Sequence, residues 1–130
     1  MIVDSSAIVA MLLAESGFEE IVDKLLQTKS APKMGSPNSL ETTIVVDGKR
    51  DPLLVGRFEE VIEKFNIEIV PFTPEHAEIA RKAYGNFGKG SGHPAQLNFG
   101  DCMAYALARG EREQLLFVGN DFTHTDIEAA

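Results

Sequence analysis

The sequence predicts an α/β fold in which helices cover both faces of a mostly parallel sheet. One pattern predicts this class, and two further observations predict that the chain forms a single domain. Short, continuous apolar runs alternate with amphipathic helical patterns along the chain, as in sheets whose parallel strands are joined by crossover helices. A length of 130 residues suits one domain, residues 1–130. Finally, no internal repeat, low-complexity tract or long linker divides the chain.

The first elements follow from local patterns near the start of the chain. The apolar run MIVD predicts a short buried strand. The run SSAIVAMLLAE predicts a helix, and Ser5 or Ser6 is its expected N-cap. Ser16 and Glu19 have the spacing of a capping box, so a second helix is expected from there. Its apolar stripe consists of Phe18, Ile21, Val22, Leu25 and Leu26.

The middle of the chain contains a weak strand, SAPKM, and two helices. Ser36-Pro37 combines an N-cap residue with proline at the first helical position. Asp51-Pro52 ends that helix and begins the next, because proline breaks the helical pattern. The apolar stripe of the second helix consists of Leu54, Phe58, Val61, Ile62 and Phe65.

The last part of the chain repeats the alternation. IEIVPF predicts a strand, and Thr73-Pro74 opens a helix after it. The Gly-rich run GNFGKGSGHPAQLN predicts a loop. A helix follows from Gly100, and its sides are apolar almost throughout until Arg109. LLFVG predicts the final clear strand, and DFTHTDI predicts a loop that ends in a short strand or tail.

Net charge restricts the kinds of partner that the protein binds. The chain has 12 Lys and Arg against 20 Asp and Glu, a formal charge of −8. Taken alone, this argues against nucleic acid, because phosphate-binding proteins usually have a basic surface. A second interpretation is that several acids cluster in one site and bind a cation.

The single cysteine, Cys102, excludes a disulfide within the chain and favours a reducing compartment. No apolar run approaches the roughly 20 residues of a membrane span. The first residues also lack the basic region of an export signal. We therefore expect a cytoplasmic protein with no membrane partner.

Two acids are predicted at one edge of the sheet. Asp4 ends the first strand, and Asp121 follows the run LLFVG. Ligands of parallel α/β sheets bind outside the carboxyl ends of the strands, where both of these acids are expected. Asp101 lies near the start of its helix, where the helix dipole favours an anion.

Glu41 is the fourth candidate. It shares a helix face with Ile44 and Val45, three and four residues further on, so we expect its side chain to point toward the core. Four carboxylates from four separate segments are then able to converge. The resulting site would combine Asp4, Glu41, Asp101 and Asp121.

Each of these acids also has an ordinary structural role that the sequence leaves open. Asp4 is a suitable helix cap, and Asp101 is a suitable early-turn acid. Glu41 is able to pair with a buried arginine, and Asp121 follows Asn120 as turn residues often do. Singly, these roles are the commoner ones. Together they explain the pattern less well, because neighbouring carboxylates repel unless protons or a cation intervene.

The expected cation is Mg²⁺, with Mn²⁺ as a substitute, because both prefer oxygen ligands and retain waters. The three histidines are scattered, and Cys102 is better interpreted as a small core residue than as a ligand. A Mg²⁺ ion held by carboxylates suits phosphodiester hydrolysis, since it orients the phosphate and lowers the pKa of a water.

Basic residues concentrate around the Gly-rich loop. Arg81, Lys82, Lys89 and His93 fall within thirteen residues of an otherwise acidic chain. We interpret Lys82 as part of a solvated face, and Arg81, Lys89 and His93 as candidates for contacts with the phosphates of a nucleic-acid substrate. The context GKG lacks the spacing and the preceding strand of a P-loop, so a nucleotide-binding loop is not predicted.

Four stretches resemble a known family, the PIN-domain ribonucleases, and more narrowly the VapC-type toxins of toxin–antitoxin pairs. They are MIVDSSAIVAMLLAE, LETTIVV, AYGNFGKGSGHPAQLNFGDCMAYALA and LLFVGNDFTHTDI. The resemblance spans nearly the whole chain, in the family's order. It implies a three-layer α/β/α fold with a central, mostly parallel sheet. It also implies a Mg²⁺-dependent endoribonuclease acting on structured RNA such as tRNA or ribosomal RNA.

The resemblance places the family's acidic quartet on Asp4, Glu41, Asp101 and Asp121, with Asp4 and Asp101 as direct metal ligands. The hydroxyl that follows the family's first acid falls on Ser5 or Ser6, and we expect both serines, Asn120 and Asp126 to support the acids from around the site. The implied partner is a small VapB-type antitoxin whose C-terminal segment covers the site, often with a basic side chain among the acids. A homodimer within the toxin–antitoxin complex is also implied.

The acid nearest the C-terminus is open between two candidates. Asp121 lies three residues after Val118, close to the end of the predicted strand. Asp126 follows five residues later, a span of roughly 16 Å when extended. We therefore predict Asp121 as the acid facing the metal, and Asp126 as a neighbour that shapes the loop or the RNA contact.

Two other functions fit parts of the pattern. One is a different metal-dependent phosphohydrolase, acting on DNA or a phosphomonoester. A haloacid-type phosphatase would need an Asp-x-Asp pair after the first strand, whereas Asp4 is followed by Ser5 and Ser6. The other is a degenerate domain that only binds a partner, which the presence of all four acids disfavours.

Overall fold

The computed structural model describes all residues, Met1–Ala130. Four strands and six helices follow one another along the chain. Their order is β1 (Ile2–Val3), α1 (Ser5–Leu12), α2 (Phe18–Gln27), β2 (Lys33–Gly35), α3 (Ser36–Gly48), α4 (Pro52–Lys64), β3 (Glu68–Val70), α5 (Pro74–Phe87), α6 (Phe99–Glu111) and β4 (Leu115–Leu116).

The four strands form one sheet in the order β3-β2-β1-β4, and every neighbouring pair is parallel. Successive residues of a strand face opposite sides of the sheet. Ile2 and Leu115 accordingly belong to a core cluster that includes α5 and α6 residues, whereas Val3 and Leu116 belong to a cluster with α1–α4 residues. The predicted α/β class, with helices on both faces of a parallel sheet, is confirmed.

Helix starts agree with the sequence where the signal is local. Asp51 caps α4 and Thr73 caps α5, each directly before a proline. The cap of α1 is Asp4, so the prediction of Ser5 or Ser6 was wrong. The predicted capping box of Ser16 and Glu19 was also wrong.

The chain reversal between α1 and α2 explains that second error. Gly17, with φ 86°, is the N-cap of α2 and makes no side-chain capping bond. The helix therefore begins one residue after the glycine, and Ser16 lies outside it. A residue without a side chain takes this left-handed conformation without strain.

Helix α3 is rotated relative to the prediction. Its buried stripe is Asn38, Thr42 and Val46, while Ile44 is 63% exposed. The expectation that the face of Ile44 points to the core was therefore wrong. The face that points to the core instead carries two buried polar residues, whose hydrogen bonds are satisfied there. Asn38 Nδ2 donates to the Gly100 carbonyl (3.1 Å), and Thr42 Oγ1 donates to the Asn38 carbonyl (2.9 Å).

The final strand is shorter than predicted. β4 ends at Leu116, although the apolar run continues to Val118. The Val118 N–H is not used in the sheet, since it donates to Ser6 Oγ at 3.0 Å. The chain thus leaves the sheet where it reaches the first residues of α1. None of the helices has the length and apolar composition needed to cross a bilayer.

Candidate active site

Asp4 lies at the carboxyl end of the central strand and is only 3% exposed. Its Oδ2 atom caps α1, accepting from the Ser6 N–H (3.0 Å) and from Ser6 Oγ (2.6 Å). Its Oδ1 atom is buried and has no hydrogen-bond partner. The capping role and the site role, which the sequence left as alternatives, are thus compatible, because each uses a different oxygen.

Burial raises the pKa of the Asp4 carboxyl above its usual range, and the charge of Glu41 adds to this. The two hydrogen bonds from Ser6 act in the opposite direction, since they favour the ionised form. An unpaired carboxylate oxygen away from water is costly unless a proton or a cation binds it. Asp4 therefore presents a vacant acceptor at the sheet edge.

Ser6 joins two of the segments that carry acids. Its hydroxyl donates to Asp4 and accepts from the Val118 N–H, three residues before Asp121. Ser5 has a different partner, because its hydroxyl donates to Glu41 Oε1. The two serines after the first strand thus hold three segments of the site together.

Asp101 is the third residue of α6 and forms a capping box with Asn98. The Asn98 N–H donates to Asp101 Oδ2 (2.9 Å), and the Asp101 N–H donates to Asn98 Oδ1 (2.8 Å). Most of the apolar and small residues that follow Asp101 on α6 are buried, as predicted. The packed helix therefore supports the carboxylate rigidly. Sequence reasoning missed Asn98, although Asn-x-x-Asp at a helix start resembles a capping box.

Burial raises the pKa of Asp101 to about 6, against the opposing hydrogen bond from Asn98. The charges of Asp4, Asp121 and Glu41 raise the pKa further. All four predicted acids therefore lie near enough to interact electrostatically. Asp101 is the acid whose pKa is raised by the charges of the other three.

Glu41 approaches the site from α3. Its carboxylate accepts from Ser5 Oγ and lies against the Cα atom of Gly100, the residue before Asp101. The sequence predicted a carboxylate facing the interior, and Glu41 is half-buried in this position. Its contact with Gly100 could not be predicted, because it joins two helices far apart in the sequence.

The two acids near the C-terminus have different surroundings. Asp121 is exposed in the turn after β4. The adjacent Asn120 carbonyl accepts from the Thr123 N–H and hydroxyl, which shapes that turn. Asp126 instead accepts from the Tyr105 hydroxyl (2.7 Å) and pairs with Arg109 (3.5 Å), on later turns of α6 than Asp101.

None of the three candidate RNA contacts forms an ion pair with an acid of the site. Arg81 is exposed on α5, and Lys89 is exposed at the start of the Gly-rich loop. His93 holds that loop: its Nδ1 atom accepts from the Ala95 N–H (3.1 Å), and its ring packs edge-on against Phe87 with centroids 4.9 Å apart.

No basic side chain neutralises the acid cluster. The ion pairs of the chain, judged by an N···O distance within 4.0 Å, all lie elsewhere, so Glu41 has no buried arginine partner. Nowhere in the structure are three or more His, Cys, Asp or Glu side chains arranged so that together they could hold a metal ion. The donor set instead suits an ion such as Mg²⁺, which takes one or two carboxylates and keeps several waters.

The sequence matches the PIN-domain family over residues 1–128. It is 45% identical over 130 residues to VapC ribonuclease Mb0625 of Mycobacterium bovis and to ribonuclease VapC28 of Mycobacterium tuberculosis, covering all of this chain and 97% of each relative. Ribonuclease VapC42 of M. tuberculosis is 39% identical over the same length, with 98% of that protein covered.

Two solved structures share the fold. One is M. tuberculosis VapC20, a toxin that cleaves the sarcin-ricin loop, with a TM-score of 0.78 and 13% identity, covering 99% of this chain and 97% of that one. The other is a toxin–antitoxin complex from Klebsiella pneumoniae, with a TM-score of 0.71 and 16% identity, covering 96% and 92%. At these identities the likeness concerns the fold alone.

Proposed function

Because the chain belongs to the PIN-domain family, and within it to the VapC ribonucleases, we propose that it is a Mg²⁺-dependent endoribonuclease and the toxin of a toxin–antitoxin pair. The observation that carries the proposal is an uncompensated group of acids at the carboxyl edge of the sheet. Asp4 Oδ1 is buried there without a partner, and no basic side chain pairs with the acids around it.

Asp4 and Asp101 are the proposed direct ligands of the metal. Both are buried, both are held by capping hydrogen bonds through Oδ2, and both have raised pKa values. Glu41 and the exposed Asp121 complete the acidic site, Asp121 through water. Mg²⁺ in such a site supplies Lewis acidity, which orients a phosphodiester and lowers the pKa of a water. Mn²⁺ is the expected substitute.

We propose structured RNA, tRNA or ribosomal RNA, as the substrate class, in the cytoplasm. Support for RNA comes from the family and from exposed basic residues on α5 and the following loop. Arg81 and Lys89 have free side chains for phosphate, while His93 offers only the ring nitrogen that does not hold the loop. Because the chain as a whole has a net charge of −8, these residues are the proposed source of the positive charge that contacts with the RNA backbone require.

We propose two protein partners, a second copy of the chain and a VapB-type antitoxin. Leu40 and Ile44 are 60% and 63% exposed on one face of α3, and Phe99 is 76% exposed before Gly100. An apolar surface of this kind bordering an acidic site is typical of a protein interface. The antitoxin's C-terminal segment would cover the acids, with a basic side chain supplying the missing cation.

Sequencing of RNA 5′ ends after induced expression tests this proposal. Expression of the wild-type chain should produce new 5′ ends at one or a few positions in a structured RNA. Expression of the matched Asp101→Asn variant should not. A pattern of 5′ ends that is identical for the two proteins would contradict the proposed activity.

A further inference from the structure

We propose that Gly100 positions Glu41, because its missing side chain leaves the space that the Glu41 carboxylate occupies at the residue directly before Asp101. The inference rests on the proposed function for its activity measurement, but its geometry is independent of that function. Gly100 is the second residue of α6, directly before Asp101. Glu41 reaches it from α3, 59 residues earlier in the sequence.

The space at Gly100 is already filled by the glutamate. A Cβ atom on Gly100 would lie 2.9 Å from Glu41 Cδ and 3.2 Å from Oε1, and closer still to Oε2. Ordinary contacts of a Cβ atom are 3.4–4 Å. Even alanine therefore cannot occupy this position while Glu41 keeps its place.

Two further contacts fix the spacing between the helices. Asn38, one turn before Glu41 on α3, is buried and donates from Nδ2 to the Gly100 carbonyl (3.1 Å). Ser5 Oγ holds the Glu41 carboxylate from the side of α1. The carboxylate thus lies between α1 and α6, and α3 cannot simply move away to admit a larger residue.

A side chain at Gly100 should act on Glu41 rather than on the fold. The glycine has no positive φ, so its backbone conformation suits any residue. The colliding atoms belong to the end of a flexible side chain, which is able to swing away. Gly100→Ala should therefore fold, while the displaced Glu41 loses its bond to Ser5 and its place in the site.

Gly56→Ala is the matched control. Gly56 is also inside a helix, α4, and a Cβ atom there meets nothing within 4 Å. Alanine is the better helix former. The control should raise Tm by roughly 3–5 °C, the size expected for such a change in a domain of this length, and should leave RNA cleavage unchanged.

The test is a double-mutant cycle of Gly100→Ala with Glu41→Ala, measured by thermal unfolding without metal and by RNA cleavage with Mg²⁺. Where Glu41 is absent, Gly100→Ala should raise Tm, although by less than the control does, because Gly100 lies in the first turn of α6 rather than in a helix interior. Where Glu41 is present, Gly100→Ala should not raise Tm. Gly100→Ala should lower kcat/KM at least 10-fold in the wild-type background and cause no further loss in the Glu41→Ala background.

Thermal unfolding decides the inference even if the protein does not cleave RNA. Equal Tm shifts from Gly100→Ala with and without Glu41 would overturn it. So would full cleavage activity in Gly100→Ala, or an equal fold-loss in both backgrounds. If the wild-type chain shows no cleavage but the Tm cycle is non-additive, the proposed function fails and the positioning role of Gly100 stands.

Discussion

The hydroxyl of Tyr105 donates a hydrogen bond of 2.7 Å to Asp126. Tyr105 lies one helical turn after Asp101 on α6, and Arg109, another turn along, pairs with the same carboxylate. Asp126 therefore anchors the C-terminal segment to the side of α6. Asp121, five residues earlier, is left as the acid that interacts with Asp101.

These surroundings predict opposite effects for the two acids. Asp121→Asn should lower the Mg²⁺-dependent cleavage rate by at least 10-fold with little change in Tm, because it removes charge from the site. Asp126→Asn should instead leave the rate nearly unchanged and lower Tm by only a degree or two, since asparagine still accepts from the Tyr105 hydroxyl and loses only the half-exposed ion pair with Arg109, worth about 0.2–1 kcal/mol. Parallel measurement of rate and Tm tests both; a larger rate loss from Asp126→Asn would reverse the assignment.

Asp4→Asn and Asp101→Asn should each abolish RNA cleavage while the fold survives. Asparagine keeps the acceptor that caps α1 or closes the box with Asn98, but it removes the charge that binds the metal. Cleavage rates and circular dichroism of the two variants provide the check. Asp23→Asn, an exposed acid on α2, is the control that should retain activity. Wild-type rates in Asp101→Asn would exclude the proposed metal site.

The raised pKa of Asp101 predicts that ionisation of this carboxyl lowers the free energy of unfolding of the metal-free protein, a cost that depends on pH. Its pKa is 3.8 ordinarily and about 6 in the fold, so between these values the folded protein holds a proton that the unfolded chain has released. The free energy of unfolding then falls as pH rises through this window, by about 3 kcal/mol in total. Below the window both states are protonated and the cost disappears.

Urea unfolding at pH 4 and pH 7, without metal, measures this cost. Subtracting the curve of Asp101→Asn leaves the contribution of this carboxyl together with its interaction with Asp4, Asp121 and Glu41. The variant should be the more stable protein at pH 7, and the difference should shrink toward pH 4. A difference that grows toward acid pH would mean that Asp101 is stabilised as a carboxylate, contrary to its surroundings.

Lys89→Ala should weaken RNA binding more than it slows the chemical step, because a phosphate contact outside the acid cluster acts on binding in the ground state. The salt dependence of Kd should also become shallower, by about one phosphate contact. Lys82→Ala, exposed on α5, is the control and should change neither quantity. Identical Kd values and salt slopes for Lys89→Ala and wild type would return Lys89 to the solvated surface.

Much of the fold could be predicted because its signals are local. Proline after Asp51 and Thr73 marks two helix starts, and the apolar run around Ile2 and Val3 marks the central strand. The rotation of α3 could not be predicted, since it depends on a bond between Asn38 and a carbonyl 62 residues away. A prediction from apolar periodicity assumes that polar residues face water, whereas the amide side chain of Asn38 is buried.

In the candidate site, too, some positions could be predicted from local signals and others could not. Asp4 follows a strand and Asp101 opens a helix, so their positions follow from the order of elements alone. The early end of β4 depends instead on a contact across the fold, the hydrogen bond from the Val118 N–H to Ser6. The position of Asp126 likewise depends on its hydrogen bond from the Tyr105 hydroxyl. Loop geometry of this kind leaves no periodic signal in the sequence.

The metal dependence of RNA cleavage tests the proposed site most directly. Purified protein is assayed on a structured RNA that it cuts, first as prepared, then in excess EDTA, then with Mg²⁺ or Mn²⁺ added beyond the chelator. Because the proposed site offers the cation carboxylates that have no basic partner, cleavage should stop in EDTA and return with either metal. Undiminished cleavage in excess EDTA would contradict a metal site built from Asp4 and Asp101.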